Sequence, residues 1–211
     1  MKRVELFYLD DNFFNGTIPD MFSSMPRLQE IQLYKNYLKG PLPESIGSLK
    51  DLHLLYMDSN ELTGSLPASY GSLDNLNTFF LYNNFISGTI PTTFGQLKNL
   101  KDWRAYENDL VGKLPTELKN CHKLEILYLE DNLMYGGIPS ELGQLKALRG
   151  LRLNYNQFTG VVPADVCNLK EADDGALQFI STDCGGSAPS VTCSCCDKCY
   201  EPRGTNEGSR R

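Results

Sequence analysis

Six cysteines crowd into the last quarter of the chain: Cys167, Cys184, Cys193, Cys195, Cys196 and Cys199. Thiols at this density do one of two things. They close disulfides in an oxidising compartment, or they hold a metal as thiolates. Six is an even number and fits three bridges, with fifteen possible pairings among which the sequence does not choose. The metal reading rests on Cys-x-Cys-Cys-x-x-Cys between Cys193 and Cys199. That run lacks the second cysteine pair of a zinc knuckle and has no histidine nearby, so disulfides are expected and no metal.

The second set of reactive or sticky groups is aromatic and charged: Tyr34, Tyr56, Asp58, Phe80, Tyr82, Asp102, Arg104, Tyr106, Tyr128, Glu130 and Arg152. Tyrosine and arginine dominate binding hot spots, and acids select cationic partners. These residues recur at spacings tied to one period, and that period is what must position them. Asn-x-x-x-Gly-x-x-Pro occurs seven times, 24 residues apart, from Asn12, Gly16 and Pro19 to Asn156, Gly160 and Pro163. A fixed period of this length is the signature of a solenoid.

Each column of the repeat has a physical job. Apolar residues stand three, five and eight positions before each Asn, as in Leu33, Ile31 and Leu28 or Leu129, Leu127 and Leu124. This is strand alternation with one face inward. The fifth copy holds Ala105, Trp103 and Leu100, so a small and a large residue share that layer. The Asn amide sits where the strand ends and can bond the backbone of adjacent turns, so losing one is expected to cost roughly 1–3 kcal/mol. Gly permits the following turn, and an apolar-Pro pair starts an extended segment. A second apolar set, such as Ile46 and Leu49, fills the core from the convex side. Cys121 occupies that set alongside Leu49, Leu73 and Leu97, which predicts a buried free thiol.

These positions are those of Leu-x-x-Leu-x-Leu-x-x-Asn-x-Leu-x-Gly-x-Ile-Pro. The chain resembles the plant-type leucine-rich repeat family of receptor ectodomains, receptor-like proteins and polygalacturonase inhibitors. The resemblance implies an α/β repeat solenoid: a curved superhelix with a parallel concave sheet, a short second strand at each Gly-x-Ile-Pro and short helical or 3-10 convex segments. The Cys-rich ending resembles the cap of secreted diatom and related algal proteins of this type. The expected organisation is seven repeats over 1–169, lacking an N-terminal cap, a Cys-rich cap over 170–200 with Leu177–Ile180 as a last strand, and a disordered tail over 201–211.

Outward positions lie six, four and two residues before each Asn. Seven of these 21 positions are aromatic, whereas aromatics are 10% of the chain. Strand propensity alone accounts for a moderate excess, but not for one gathered across neighbouring copies. The concave face is therefore the expected site. Catalysis is not expected: the two histidines, His53 and His122, lie three copies apart, roughly 14 Å at least. The acidic pairs Asp10-Asp11 and Glu130-Asp131 fall in distant copies, and no phosphate loop or nucleophile elbow occurs. A net charge of −6 argues against nucleic acid, and no run approaches the ~20 apolar residues of a membrane helix.

The expectation is a non-enzymatic recognition module without cofactor, in an extracellular, cell-surface or other oxidising secretory compartment. Its ligand would be a protein or peptide, with a glycan as the further candidate. Asn15 carries a glycosylation sequon, Asn15-Gly16-Thr17. The alternative is a structural subunit of a larger assembly or cell-surface matrix. Met1-Lys2-Arg3-Val4 enters the first strand at once. That beginning fits either a piece of a longer chain or a first repeat that packs on a partner.

Overall fold

A computed structural model of the chain describes residues 3–171 and 176–202. A nine-stranded parallel sheet runs through it, built in chain order from Leu6–Tyr8, Glu30–Gln32, Leu54–Tyr56, Thr78–Phe80, Asp102–Arg104, Ile126–Tyr128, Gly150–Arg152, Phe179–Thr182 and Lys198–Cys199. The first seven strands pair with an offset of one period, Leu6 with Glu30 and Ile126 with Gly150. Every column of the repeat is thereby brought side by side. Short second strands form beside each Gly, such as Asn15–Thr17, Tyr37–Gly40 and Asp109–Gly112. They pair two residues short of the period, Asn15 with Tyr37.

The convex side carries 3-10 turns opened by the repeat's Pro, for example Glu44–Ser48 after Pro43 and Ser140–Gln144 after Pro139. Gly71 and Gly143 show why glycine recurs there. A Cβ at either would lie 2.4 or 2.5 Å from a carbonyl oxygen of the next turn. After the last copy no such turn follows. Cys167 takes the glycine slot and the turn lengthens into the helix Ala164–Glu171.

Leucines 28, 52, 76, 100, 124 and 148 are fully buried, as are their partners along each strand. Trp103 lies parallel to Phe79 at 6.5 Å and meets Phe94 at 5.3 Å, fully buried as Ala105 is. Cys121 is the buried thiol expected, bonded to the Phe94 carbonyl at 3.3 Å, and burial pushes its pKa up to about 11.

The asparagines form a ladder. Asn108 Nδ2 donates to the Leu81 and Ala105 carbonyls at 3.0 and 3.3 Å, and its Oδ1 accepts from the Ile86 amide at 2.9 Å. The same set recurs at Asn36, Asn60, Asn84, Asn132 and Asn156. Asn12 is the exception: it is exposed, and its side-chain amide donates to carbonyls of its own turn, Leu9 and Asp10. The residue before each Asn lies in the left-handed region, with φ between 51° at Asp11 and 58° at Tyr155. Nothing in the identity of these seven residues announced that geometry.

The C-terminal end departs from the expectation in one respect. The cap supplies two strands to the main sheet, Phe179–Thr182 and Lys198–Cys199, where one was expected near Leu177–Ile180. Asp183 closes the backbone ladder. Its carboxylate accepts the Tyr155 amide at 2.7 Å and the Asn156 amide at 3.0 Å. In an earlier copy the equivalent amides bond carbonyls of the next turn, Asp131 to Asn154 and Asn132 to Tyr155. Disulfides join Cys167 to Cys195, Cys184 to Cys199 and Cys193 to Cys196. Of the predicted tail, residues 203–211 lie outside the described residues.

Candidate functional site: the concave aromatic ladder

Strand pairing in register sets the outward side chains of adjacent copies next to each other, and the aromatic ones touch. Tyr56 and Phe80 stack face to face at 4.6 Å and 7°, and Tyr82 and Tyr106 at 4.5 Å and 6°. Tyr34 meets Tyr56 edge-on at 6.2 Å. The arginines then continue the row. Arg104 lies 4.7 Å from the Phe80 ring and 5.5 Å from Tyr128, while Arg152 lies 4.3 Å from Tyr128 and 5.4 Å from Phe179. A guanidinium over a ring face is attracted by its quadrupole. The result is an unbroken row from Tyr34 to Phe179.

The acids hold this row rather than standing free of it. Asp102 grips Arg104 with two bonds of 2.9 and 2.8 Å, and Glu130 Oε1 is 3.3 Å from Arg152 Nη1. Asp58 is buried at 3% exposure; burial raises its pKa, and the Tyr82 hydroxyl bonded to it opposes the rise. Tyr82 is raised in turn, first by burial and then by Asp58. Burial also raises Glu130, against the pull of Arg152. Asp58 is therefore an internal acceptor for Tyr82, whereas the sequence suggested a charge facing the ligand.

All eleven predicted concave residues lie on this face, and none is fully exposed. Each stacked pair covers one face of both its rings, so ring edges and tyrosine hydroxyls form part of what the surface presents. At its C-terminal end the face deepens into a recess of about 620 Å³ lined by Arg104, Tyr106, Tyr128, Glu130, Arg152 and Tyr200, among others. Glu130 Oε2 and Arg152 Nε are buried there without hydrogen-bond partners among the described residues. Phe179, Tyr155 and Tyr200 were not singled out from the sequence. The signal for Phe179 was present, since it alternates with the buried Ile180.

Elsewhere, Asn15 is exposed on its short strand. His53 Nε2 sits 3.3 Å from Glu30 Oε1. The sulfurs of Cys184, Cys193 and Cys196 lie within 4.8 Å of one another, the grouping a metal needs, but each is already bonded to a partner sulfur. Among the described residues no helix is long and apolar enough to cross a membrane.

Family models for the leucine-rich repeat match residues 2–62, 75–97, 123–145 and 147–169, together more than half of the chain. The chain belongs to the leucine-rich repeat family. Among solved structures, this leucine-rich repeat chain is similar to the plant peptide hormone receptor RGFR1, in complex with RGF2 (32% identity, TM-score 0.82, 86% of this chain and 28% of the receptor's). It is also similar to the Arabidopsis receptor kinase HAESA, in complex with the peptide hormone IDA and the co-receptor SERK1 (34% identity, TM-score 0.77, 83% and 29%). The chain spans less than a third of those receptors' length. A plant ice-binding protein shares the fold at 21% identity and TM-score 0.56, with 98% of this chain and 77% of that one covered. No curated protein sequence matches the chain.

Proposed function

We propose that this leucine-rich repeat protein is a non-enzymatic recognition module that binds a protein or peptide along its concave face, in an oxidising extracellular or secretory compartment. The observation that carries the proposal is the continuous row from Tyr34 to Phe179, held in place before any ligand arrives. Side chains already fixed by stacking and ion pairs lose little entropy on binding, so more of the contact energy is realised as affinity. Ring edges and hydroxyls suit the amides of an extended peptide, while a sugar would seek open ring faces for stacking. The peptide ligands of the two similar receptors support the same choice.

Selection of displayed random peptides against the intact protein tests this. Sequences enriched by the protein should bind at least tenfold more weakly to a Tyr106→Ala/Tyr128→Ala variant, a difference of about 1.4 kcal/mol. Equal binding by both proteins would remove the concave face as the site. Tyr106 and Tyr128 are preferred over Tyr82, whose loss would strand the buried Asp58.

A second reading has its own observation. Leu6, Tyr8, Phe13 and Phe14 are exposed at the first turn, with Phe13 at 83%. Phe14 also lines an apolar recess of about 220 Å³ together with residues such as Phe7, Leu9 and Phe22. A structural subunit would use this end as its contact.

A further inference from the structure

The three disulfides of the cap lie against one another and differ in what they can hold. Cys167–Cys195 spans 28 residues and Cys184–Cys199 spans 15, while Cys193–Cys196 closes a separation of only three. A cross-link stabilises chiefly by constraining the unfolded chain, and a shorter loop constrains it less. Cys193–Cys196 therefore contributes least to the fold, yet it sits at the centre of the cluster. Cys193 Sγ is 4.0 Å from Cys195 Sγ, and the sulfurs of Cys184, Cys193 and Cys196 fall within 4.8 Å of each other. Cys193 and Cys196 are both partly exposed. The buried Thr182 hydroxyl lies 3.5 Å from Cys196 Sγ. A donor so placed stabilises a departing thiolate, and a thiol of lower pKa leaves faster.

We infer that Cys193–Cys196 is a thiol-exchange site for small-molecule thiols of the glutathione class. The incoming thiolate bonds to Cys193 Sγ as the Cys193–Cys196 bond breaks. The electron pair stays on Cys196, where the Thr182 hydroxyl donates to it. The Cys196 thiolate is then within 4.8 Å of Cys184 Sγ. Attack there forms Cys184–Cys196 and expels Cys199 as a thiolate, which takes a proton from solvent. One thiol is consumed in a mixed disulfide and one is produced, so neither an oxidant nor a reductant is required. The exchange reaches the concave recess. Tyr200, the residue after Cys199, packs on Tyr155 at 4.9 Å and lines that recess, so freeing Cys199 loosens its edge.

The test is to incubate the intact protein with reduced glutathione, quench with iodoacetamide and map the peptides by mass spectrometry. Expected are one glutathione on Cys193, alkylation of Cys199 and a new Cys184–Cys196 link, all before the circular dichroism spectrum changes. Thr182→Val should form the adduct roughly fivefold more slowly. A Cys193→Ser/Cys196→Ser variant should take up no glutathione and lose less melting temperature than a variant lacking Cys167–Cys195. Glutathione first appearing on Cys167 or Cys195, reaction only after unfolding, or an unchanged rate in Thr182→Val would overturn the assignment. A fall in the double variant's melting temperature as large as that from removing Cys167–Cys195 would do the same.

Discussion

The two ends of the solenoid face the same physical demand and meet it differently. Every turn leaves an apolar layer and a row of backbone amides and carbonyls for the next turn to cover. At the C-terminal end Asp183 takes the two amides, the helix Ala164–Glu171 and two further strands cover the layer, and disulfides fasten them. At the first turn Val4, Phe7 and Leu9 are only partly buried and the Asn12 side chain donates to carbonyls of its own turn. The comparison separates two kinds of apolar surface. Concave aromatics are half-covered by one another and interleaved with charge, as a recognition face with a polar rim should be. Those of the first turn are more open: Phe13 stacks on Tyr37 at 6.3 Å yet stays 83% exposed.

Opening the fastened end should have the largest effect. Reducing Cys167–Cys195 and Cys184–Cys199 is expected to cost roughly 3 kcal/mol for each bridge. Hydrogen exchange should rise first in the strands at 150–152 and 179–182. The same loss produced by a chelator in place of a reductant would restore a metal reading of the cap. Next is Asn108→Ala, which leaves the Ile86 amide unmet and takes one of two asparagine donors from each of the Leu81 and Ala105 carbonyls, and should cost roughly 2–3 kcal/mol in denaturant unfolding. Asn12→Ala, at the open end, should cost well under ~1 kcal/mol by the same logic. Equal costs would dissolve the distinction between interior and first turn. Asp183→Ala should cost about 2 kcal/mol, felt as fraying of the last repeats.

The smallest effect concerns Asp58. Its folded pKa is raised, so the folded state holds that proton more tightly than the unfolded chain does. Its contribution therefore favours the fold below the ordinary carboxylate range and declines as pH rises through the raised value. Asp58→Asn should raise the melting temperature at neutral pH, and the gain should fade in acid. A gain that persists in acid would mean that the burial of charge is not its cause.

The interior was legible because it is periodic: the 24-residue spacing fixes which residue meets which, so the buried columns and the Asn ladder followed from the letters. Stacking geometry was not legible, since Tyr82 reads the same whether its ring is open or lies on Tyr106. Asp58 shows the limit most clearly. Its column also holds the half-buried Asp10, yet Asp58 is buried against the Tyr82 hydroxyl, a difference that the residue type does not announce. Asp183 escaped notice because the period breaks before it, with Gly150 pairing with Phe179 across 29 residues rather than 24. The disulfide pairs depended on that same aperiodic stretch.

The most direct test sets the two apolar surfaces against each other. The protein, its Tyr106→Ala/Tyr128→Ala variant and a Phe13→Ser/Phe14→Ser variant are used to capture partners from native cell-surface and secreted fractions. The predicted result is a partner held by the intact protein and the Phe13/Phe14 variant and lost by the Tyr106/Tyr128 variant. A partner lost only when Phe13 and Phe14 are changed would contradict the account and place the contact at the first turn.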